Sequence, residues 1–223
     1  MHSGLHTARG FFTVRNAGTY DYVVKLATLG QDKYWKKMVL KEIHGGIVLD
    51  LASGTGILSE MIMGETNALE VLALDLSLDY VKISKHKRNI ESAFNANAEM
   101  LPFRNKSCDC IVSSYLAKYV DVDKLVTEIS RVLASNGVVV FHDFSYPRSK
   151  AIRIIWKFHF KLLCIAGIFI KSWGHIFFEL DELIENSTWS DDLLKSLRNH
   201  DFINISSTDY TFGTSIVITA KKK

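Results

Sequence analysis

The stretch from Gly46 to Lys85 constrains the fold more than any other part of the chain. An apolar run, Ile47-Val48-Leu49-Asp50-Leu51, passes into Ala52-Ser53-Gly54-Thr55-Gly56, then a helical stretch, then a second run from Leu69 to Leu74 that closes on Asp75. Strand, glycine turn, helix and strand in that order predict a βαβ unit, whose crossover makes the two strands parallel. The alternation continues downstream. Cys110 to Ser113 reads as a short buried strand, and Asp121 is placed to cap a helix in which Val122, Leu125, Val126, Ile129, Val132 and Leu133 fall at helical spacing. Asn136-Gly137 is expected to stop that helix, and Val138 to Phe141 to form the next strand.

Strands that alternate with helices and read as unbroken apolar runs belong to a parallel sheet covered on both faces. The C-terminal part breaks the pattern. Ser190 begins a helix through Leu193, Leu194 and Leu197, and the two runs that follow, Phe202 to Tyr210 and Thr214 to Ala220, are separated only by a turn at Gly213. Strands joined so tightly pair antiparallel. The expected architecture is α/β: one domain over residues 1–223, with a mostly parallel sheet, helices on both faces and a C-terminal antiparallel hairpin. Residues 1–44 are expected to form an N-terminal helical cap, and residues 148–189 an inserted helical lid or substrate cap.

Composition excludes several classes. With 48% apolar and 23% charged residues in 223, and only two prolines, the chain is neither disordered nor fibrous. The net charge of +3 equals the contribution of Lys221, Lys222 and Lys223, so the body is neutral and carries no electrostatic footprint for nucleic acid. Cys108, Cys110 and Cys164 are an odd set, and Cys108-Asp109-Cys110 lacks the second pair that a zinc site needs. Reduced thiols and no metal are expected. Met1 to Arg15, with His2, His6, Arg9 and Arg15, never reaches the apolar run of a secretory signal, which predicts a cytoplasmic location.

In an open parallel sheet, ligands bind at the C-terminal ends of the strands where strand order reverses, so the turn after the first strand is the place to search. Gly54 and Gly56 let a ligand approach the backbone there, and the following helix presents unpaired N–H groups. Asp75, 19 residues past Gly56, ends the next strand where a carboxylate can accept from both hydroxyls of a ribose. These features point to a nucleoside. A dinucleotide fingerprint would need a glycine at Ser59, which disfavours nicotinamide chemistry.

Several segments then follow in one order. They are Tyr20-Asp21-Tyr22, Leu29-Gly30 and Trp35-Lys36; Leu49 through Gly56; Asn97-Ala98-Glu99-Met100-Leu101-Pro102-Phe103; Arg131-Val132-Leu133; and Asp143-Phe144-Ser145-Tyr146-Pro147. In that order they resemble the ubiquinone/menaquinone-biosynthesis C-methyltransferase family along nearly the whole chain, including alanine at Ala52. The resemblance implies the class I methyltransferase (Rossmann-like) fold with a seven-stranded sheet, and S-adenosyl-L-methionine as cofactor. It implies that Asp50, Gly54, Thr55 and Gly56 hold the methionine end and Asp75 the ribose. It also implies that Asn97 with Ala98 meets the adenine edge and that Ser114 faces the cofactor. The expected reaction is C-methylation of a lipophilic quinol or phenolic ring. The alternatives are O- or N-methylation of another small hydrophobic metabolite, and a protein that binds the cofactor without turnover.

Displacement at a sulfonium neutralises charge, so alignment and dryness matter more than a metal. A carbon nucleophile adds the need for a base, or for a positive group that stabilises a phenolate. His142, Asp143 and Lys118 are the candidate catalytic residues, with Tyr115 and Tyr20 close to them in the expected fold. Here the chain departs from the family: Lys118-Tyr119 stands where an Arg-Asn pair is usual, and Asp143 to Pro147 where Glu-Phe-Ser-Lys-Pro is usual.

Between Phe144 and Phe178 there is no acidic residue, while Arg148, Lys150, Arg153, Lys157, Lys161 and Lys171 are interleaved with Trp156, Phe158, Phe160, Phe169, Trp173 and Phe177. Arg153, Lys157 and Lys161 step by four along one helical stripe beside a broad apolar face. The longest uninterrupted apolar run, Leu162 to Ile170, is too short to span a bilayer but could lie on one. A lid over the site and peripheral membrane contact through residues 148–173 are both compatible with this pattern.

Overall fold

In the computed structural model, which describes residues 8, 10–87, 90, 92–170 and 172–223, seven strands form one sheet. They are β1 (Gly46–Leu51), β2 (Ala68–Asp75), β3 (Ser92–Asn95), β4 (Cys108–Ser114), β5 (Leu133–Phe144), β6 (Phe202–Tyr210) and β7 (Ser215–Lys222), in the order β3-β2-β1-β4-β5-β7-β6. Only β7 runs against its neighbours, pairing antiparallel with both β5 and β6. The other contacts, β1 with β2 and β4, β2 with β3, and β4 with β5, are parallel. The helices α4 (Ile57–Glu65), α5 (Leu78–Ser84) and α6 (Val122–Val132) supply crossovers between successive parallel strands.

The central strands bury apolar residues toward the covering helices on both faces, with Asp50 of β1 a buried exception. Leu49 and Leu51 of β1 pack with Ile111, Phe141 and Ile218 beneath α6 and a later helix, α9 (Trp189–Asn199). Val48 points the other way, with Val112, Val140 and Val217, toward α3 (Gln31–Leu40) and α4. Period-two alternation therefore assigns the Asp50 side chain to the α3/α4 side.

Asp121 caps α6, its carboxylate accepting from the Lys124 N–H at 3.2 Å. The helix ends at Val132, before Asn136-Gly137, because Leu133 already pairs with Cys108 in β5. The expectation that Asn136-Gly137 stops the helix is thus corrected. Asn136 has φ of +65° and lies where the β4–β5 register shifts. A Cβ on Gly137 would come within 2.8 Å of the Asp109 carbonyl oxygen, so the irregularity requires glycine. Cys108 and Cys110, two residues apart, consequently pack into opposite core layers as free thiols.

Over the C-terminal ends of the strands sit α1 (Val14–Ala17), α2 (Tyr20–Ala27) and α3, with α7 (Lys150–Phe169) and α8 (Gly174–Asn186). Phe11, Val23, Tyr119, Trp173, Ile176 and Phe177 form a common apolar cluster that ties these pieces together. Residues 1–7 and Arg9 of the expected cap, and Lys171 of the basic segment, lie outside the described residues. Among the described residues no helix is long and apolar enough to cross a membrane.

Candidate active site

Strand order reverses between β1 and β4, and the crevice opens there. The loop leaving β1 is wound through left-handed backbone at Ala52, Gly54 and Gly56, with φ of +56°, +57° and +83°. A Cβ on Gly56, the N-cap of α4, would fall 2.6 Å from Ile90 Cδ1. The Ser53 N–H donates to the Leu74 carbonyl at 2.9 Å and latches the loop to β2. Asp75 then accepts from the Gly54 N–H and the Ser77 N–H, one at each carboxylate oxygen and both at 2.8 Å. Burial raises the Asp75 pKa and these two bonds oppose the rise. A carboxylate offers about four lone-pair sites, so each oxygen keeps one for a ligand hydroxyl.

A cavity of about 260 Å³ lies beside this loop, lined by Gly54, Asp75, Asn97, Ala98 and Ser114 together with Phe12, Tyr20, Tyr80, Leu116 and Val120. Thr55 and Gly56 do not line it. Thr55 Oγ1 donates to Asp21 of α2, which also pairs with Lys87 at 2.6 Å, so Thr55 fastens the cap to the loop. The Asn97 side-chain carbonyl accepts from the Glu99 N–H at 2.9 Å in a local turn, leaving one acceptor site free.

Asp50 opens instead into an adjoining recess of about 20 Å³ that shares Tyr20, Ala52, Ser114 and Tyr115 with the larger cavity. Its carboxylate accepts from Ser59 Oγ at 2.6 Å, and burial pushes its pKa up to about 7 against the Ser59 bond and the Lys36 charge. Lys36 of α3 is almost wholly buried and ion-paired with Asp32, which also accepts from the Tyr115 hydroxyl at 2.8 Å. Burial would raise the Asp32 pKa, but the Lys36 charge and these bonds outweigh it and lower the pKa. Ser53 Oγ, on the recess wall, is buried and lacks a partner among the described residues. Asp32 was not expected at the site. Its only sequence signal is an i, i+4 Asp–Lys pair, which on most helices is a solvated surface pair.

His142, Asp143 and Lys118 are brought together at the end of β5, yet His142 and Asp143 line neither cavity. His142 is held between Ser114 Oγ at 3.1 Å and Ser215 Oγ at 3.0 Å. Burial, with the nearby Lys36 charge, pushes its pKa down to about 3, so the ring is neutral. Lys118 donates to Asp143 at 2.5 Å with both side chains buried. Burial drives the lysine down and the aspartate up, and each charge holds the other back.

Lys118 faces a second cavity of about 60 Å³ with otherwise mostly apolar walls, including Val23, Val24, Trp173, Phe177 and Leu180. Phe12, Tyr20, Tyr115 and Tyr119 line both this chamber and the nucleoside-sized cavity. Burial raises the pKa of Tyr20, Tyr115 and Tyr119 well above the usual phenol value, so none of them is a base near neutrality.

The donor set suits a sulfonium nucleoside. The orphaned Ser53 hydroxyl, the Asp50 carboxylate and the Lys36 ammonium, which Asp32 holds in place, complement the amine and carboxylate of an amino-acid tail. Asp75 complements ribose hydroxyls, and Leu116 and Val120 offer apolar surface to a base.

The comparisons agree with this geometry. Residues 49–141 match the family model described as a methyltransferase domain. The chain is 27% identical to the ubiquinone/menaquinone biosynthesis C-methyltransferase UbiE of Geotalea uraniireducens, with 92% of each protein covered. It is 29% identical to the demethylmenaquinone methyltransferase of Chlorobaculum tepidum, covering 92% of this chain and 88% of that one. Among solved structures, an S-adenosylmethionine-dependent methyltransferase of Thermotoga maritima superposes with a TM-score of 0.69 at 14% identity, covering 96% of this chain and all of that one. Geranyl diphosphate C-methyltransferase from Streptomyces coelicolor gives 0.63 at 14% identity, covering 86% and 79%. The terminal pair around β7 and the crevice after β1 have the same explanation as these similarities: the chain is a class I S-adenosylmethionine-dependent methyltransferase that resembles the ubiquinone/menaquinone-biosynthesis C-methyltransferase family.

Proposed function

We propose that the protein methylates a carbon of a lipophilic quinol or phenolic ring, in the cytoplasm and against a membrane surface. The observation that carries this reading is the apolar chamber with one buried ammonium group, Lys118, sharing its tyrosine walls with the nucleoside cavity. The names of the relatives that align with nine-tenths of the chain support a carbon acceptor in quinone biosynthesis.

When bound, the cofactor supplies an electrophilic methyl carbon on a sulfonium centre. Asp50 and Lys36, the latter held by Asp32 of α3, anchor its amino-acid tail; Gly54 lets the backbone approach; and Asp75 accepts from the ribose. Asn97 and Ala98 meet the adenine edge, and Ser114 lines the wall between them. Thr55 and Gly56 act one step removed, by fastening and shaping the loop. Phe12, Tyr20, Tyr115 and Tyr119 exclude water from the junction of the two cavities. Lys118 holds an ionised ring hydroxyl, which raises the electron density on the ring carbons, and Asp143 holds Lys118. His142 is a neutral spacer between two serines and positions Ser114.

Titration calorimetry should show binding of S-adenosylmethionine and its demethylated product but not of NAD. Asp75→Asn should weaken the product's binding about 30-fold, the loss of one hydrogen bond to a charged group. Labelled methyl donor with a prenylated phenol should place the label on carbon. Absence of binding by either nucleoside refutes the cofactor site, and label on oxygen alone refutes the acceptor assignment.

A further inference from the structure

The helix α7 carries two apolar faces. Trp156, Phe160 and Gly167 are buried against α8 and the end of β5, and a Cβ on Gly167 would lie 2.8 Å from Gly174 Cα, so α7 and α8 touch backbone to backbone. About half a turn away, on the outward side, Ile154, Phe158, Leu162, Ile165 and Phe169 follow one another at helical spacing. Phe158 is 62% exposed, Ile165 56% and Phe169 84%. The stripe of Arg153, Lys157 and Lys161 runs along the shoulder of this exposed apolar face.

We propose that this outward face of α7 is a docking surface for an anionic lipid bilayer. Arg148, Lys150, Arg153, Lys157 and Lys161 lie in exposed positions along the helix or just before it. Among the described residues only Lys157 of this set has an acidic partner, Glu185 of α8 at 3.3 Å. A second copy of this chain would bring the same basic shoulder against itself, whereas anionic headgroups complement it while acyl chains take up the apolar stripe. The helix is about 30 Å long and interrupted by four basic residues, so it lies in the interface instead of crossing it.

Between α7 and α8 the same face opens a groove of about 490 Å³, walled by Phe160, Cys164, Ile165, Ile168 and Phe177. Phe177 is also a wall of the chamber that contains Lys118. Docking gives a lipophilic acceptor a dry approach to that chamber past one aromatic ring. This use rests on the proposed acceptor; the docking does not.

The test is flotation of the full chain with phosphatidylglycerol/phosphatidylcholine vesicles and with phosphatidylcholine alone, at low and high salt. Binding is expected only to the anionic vesicles at low salt. Lys150→Ala with Lys161→Ala should weaken it about 30-fold, as expected for two interfacial charges. Phe158→Ser with Ile165→Ser should weaken it at least about tenfold, because membrane binding scales with buried apolar area. Both side chains are solvent-exposed, so the variant should keep wild-type melting behaviour and wild-type affinity for S-adenosylhomocysteine.

The proposal is overturned if the protein stays unbound with anionic vesicles at low salt. Equal binding to neutral vesicles, or undiminished binding of the serine variant, also overturns it. So does a dimer in solution that becomes monomeric when the stripe is changed. Loss of S-adenosylhomocysteine binding in the unmodified protein would sink the cofactor reading whatever the vesicles show.

Discussion

Asp50 stores a pH-dependent penalty that Asp50→Asn should release. Its pKa is pushed from 3.8 to about 7 in the folded chain, chiefly by burial. As pH rises between those values, the unfolded chain gives up a proton that the folded chain retains. The associated stability is complete below the lower value and is lost as pH climbs through the upper one. A gap of about three in pKa, at about 1.36 kcal/mol for each, sets a ceiling on the order of 4 kcal/mol, reached at about pH 8. An asparagine can still accept from Ser59 and has no charge to bury. Urea unfolding of the ligand-free protein should therefore show wild type losing stability from about pH 4 to about pH 8 relative to the variant, with the variant the more stable at the upper end. Other buried groups titrate too, and subtracting one curve from the other isolates Asp50. Parallel stability–pH curves would refute the argument. The same substitution should weaken binding of the cofactor, because the carboxylate is retained at a stability cost for the sake of a cationic amine.

Two further outcomes follow from buried contacts. Lys118→Met leaves Asp143 charged, buried and unpaired, which should cost about 3–5 kcal/mol in denaturant unfolding; adding Asp143→Leu should restore most of that while methyl transfer stays low. If the double variant turns over normally, Lys118 does not act on the acceptor. Gly167→Ala places a methyl group 2.8 Å from the Gly174 backbone, so calorimetric melting should report a loss of about 1–3 kcal/mol as the α7–α8 pair is forced apart. An unchanged melting temperature would show that these helices are not in close register.

The βαβ unit, the loop from Asp50 to Gly56, Asp75 and the terminal pair were legible because each follows from local periods and turn chemistry. Leu49 and Leu51 alternate with Asp50, and Gly56 permits the left-handed conformation that the turn into α4 uses. The end of α6 was misplaced by the Asn136-Gly137 signal. A strong breaker marks a bend but does not say whether the bend ends a helix or offsets a strand. Pairing of Leu133 with Cys108 decides that, and the two residues are far apart in the chain.

The amino-acid sequence by itself determined the order of elements, the crevice after β1 and the residue types that face a nucleoside, since these depend on spacing within a few turns of chain. Only tertiary structure decided which charges are buried together. Asp32 and Lys36 look like a surface pair until α3 packs over Asp50, and Lys118 meets Asp143 across 25 residues. It likewise decided which side of α7 stays uncovered. Burial is a property of what lies opposite a side chain, and that partner comes from a remote part of the chain.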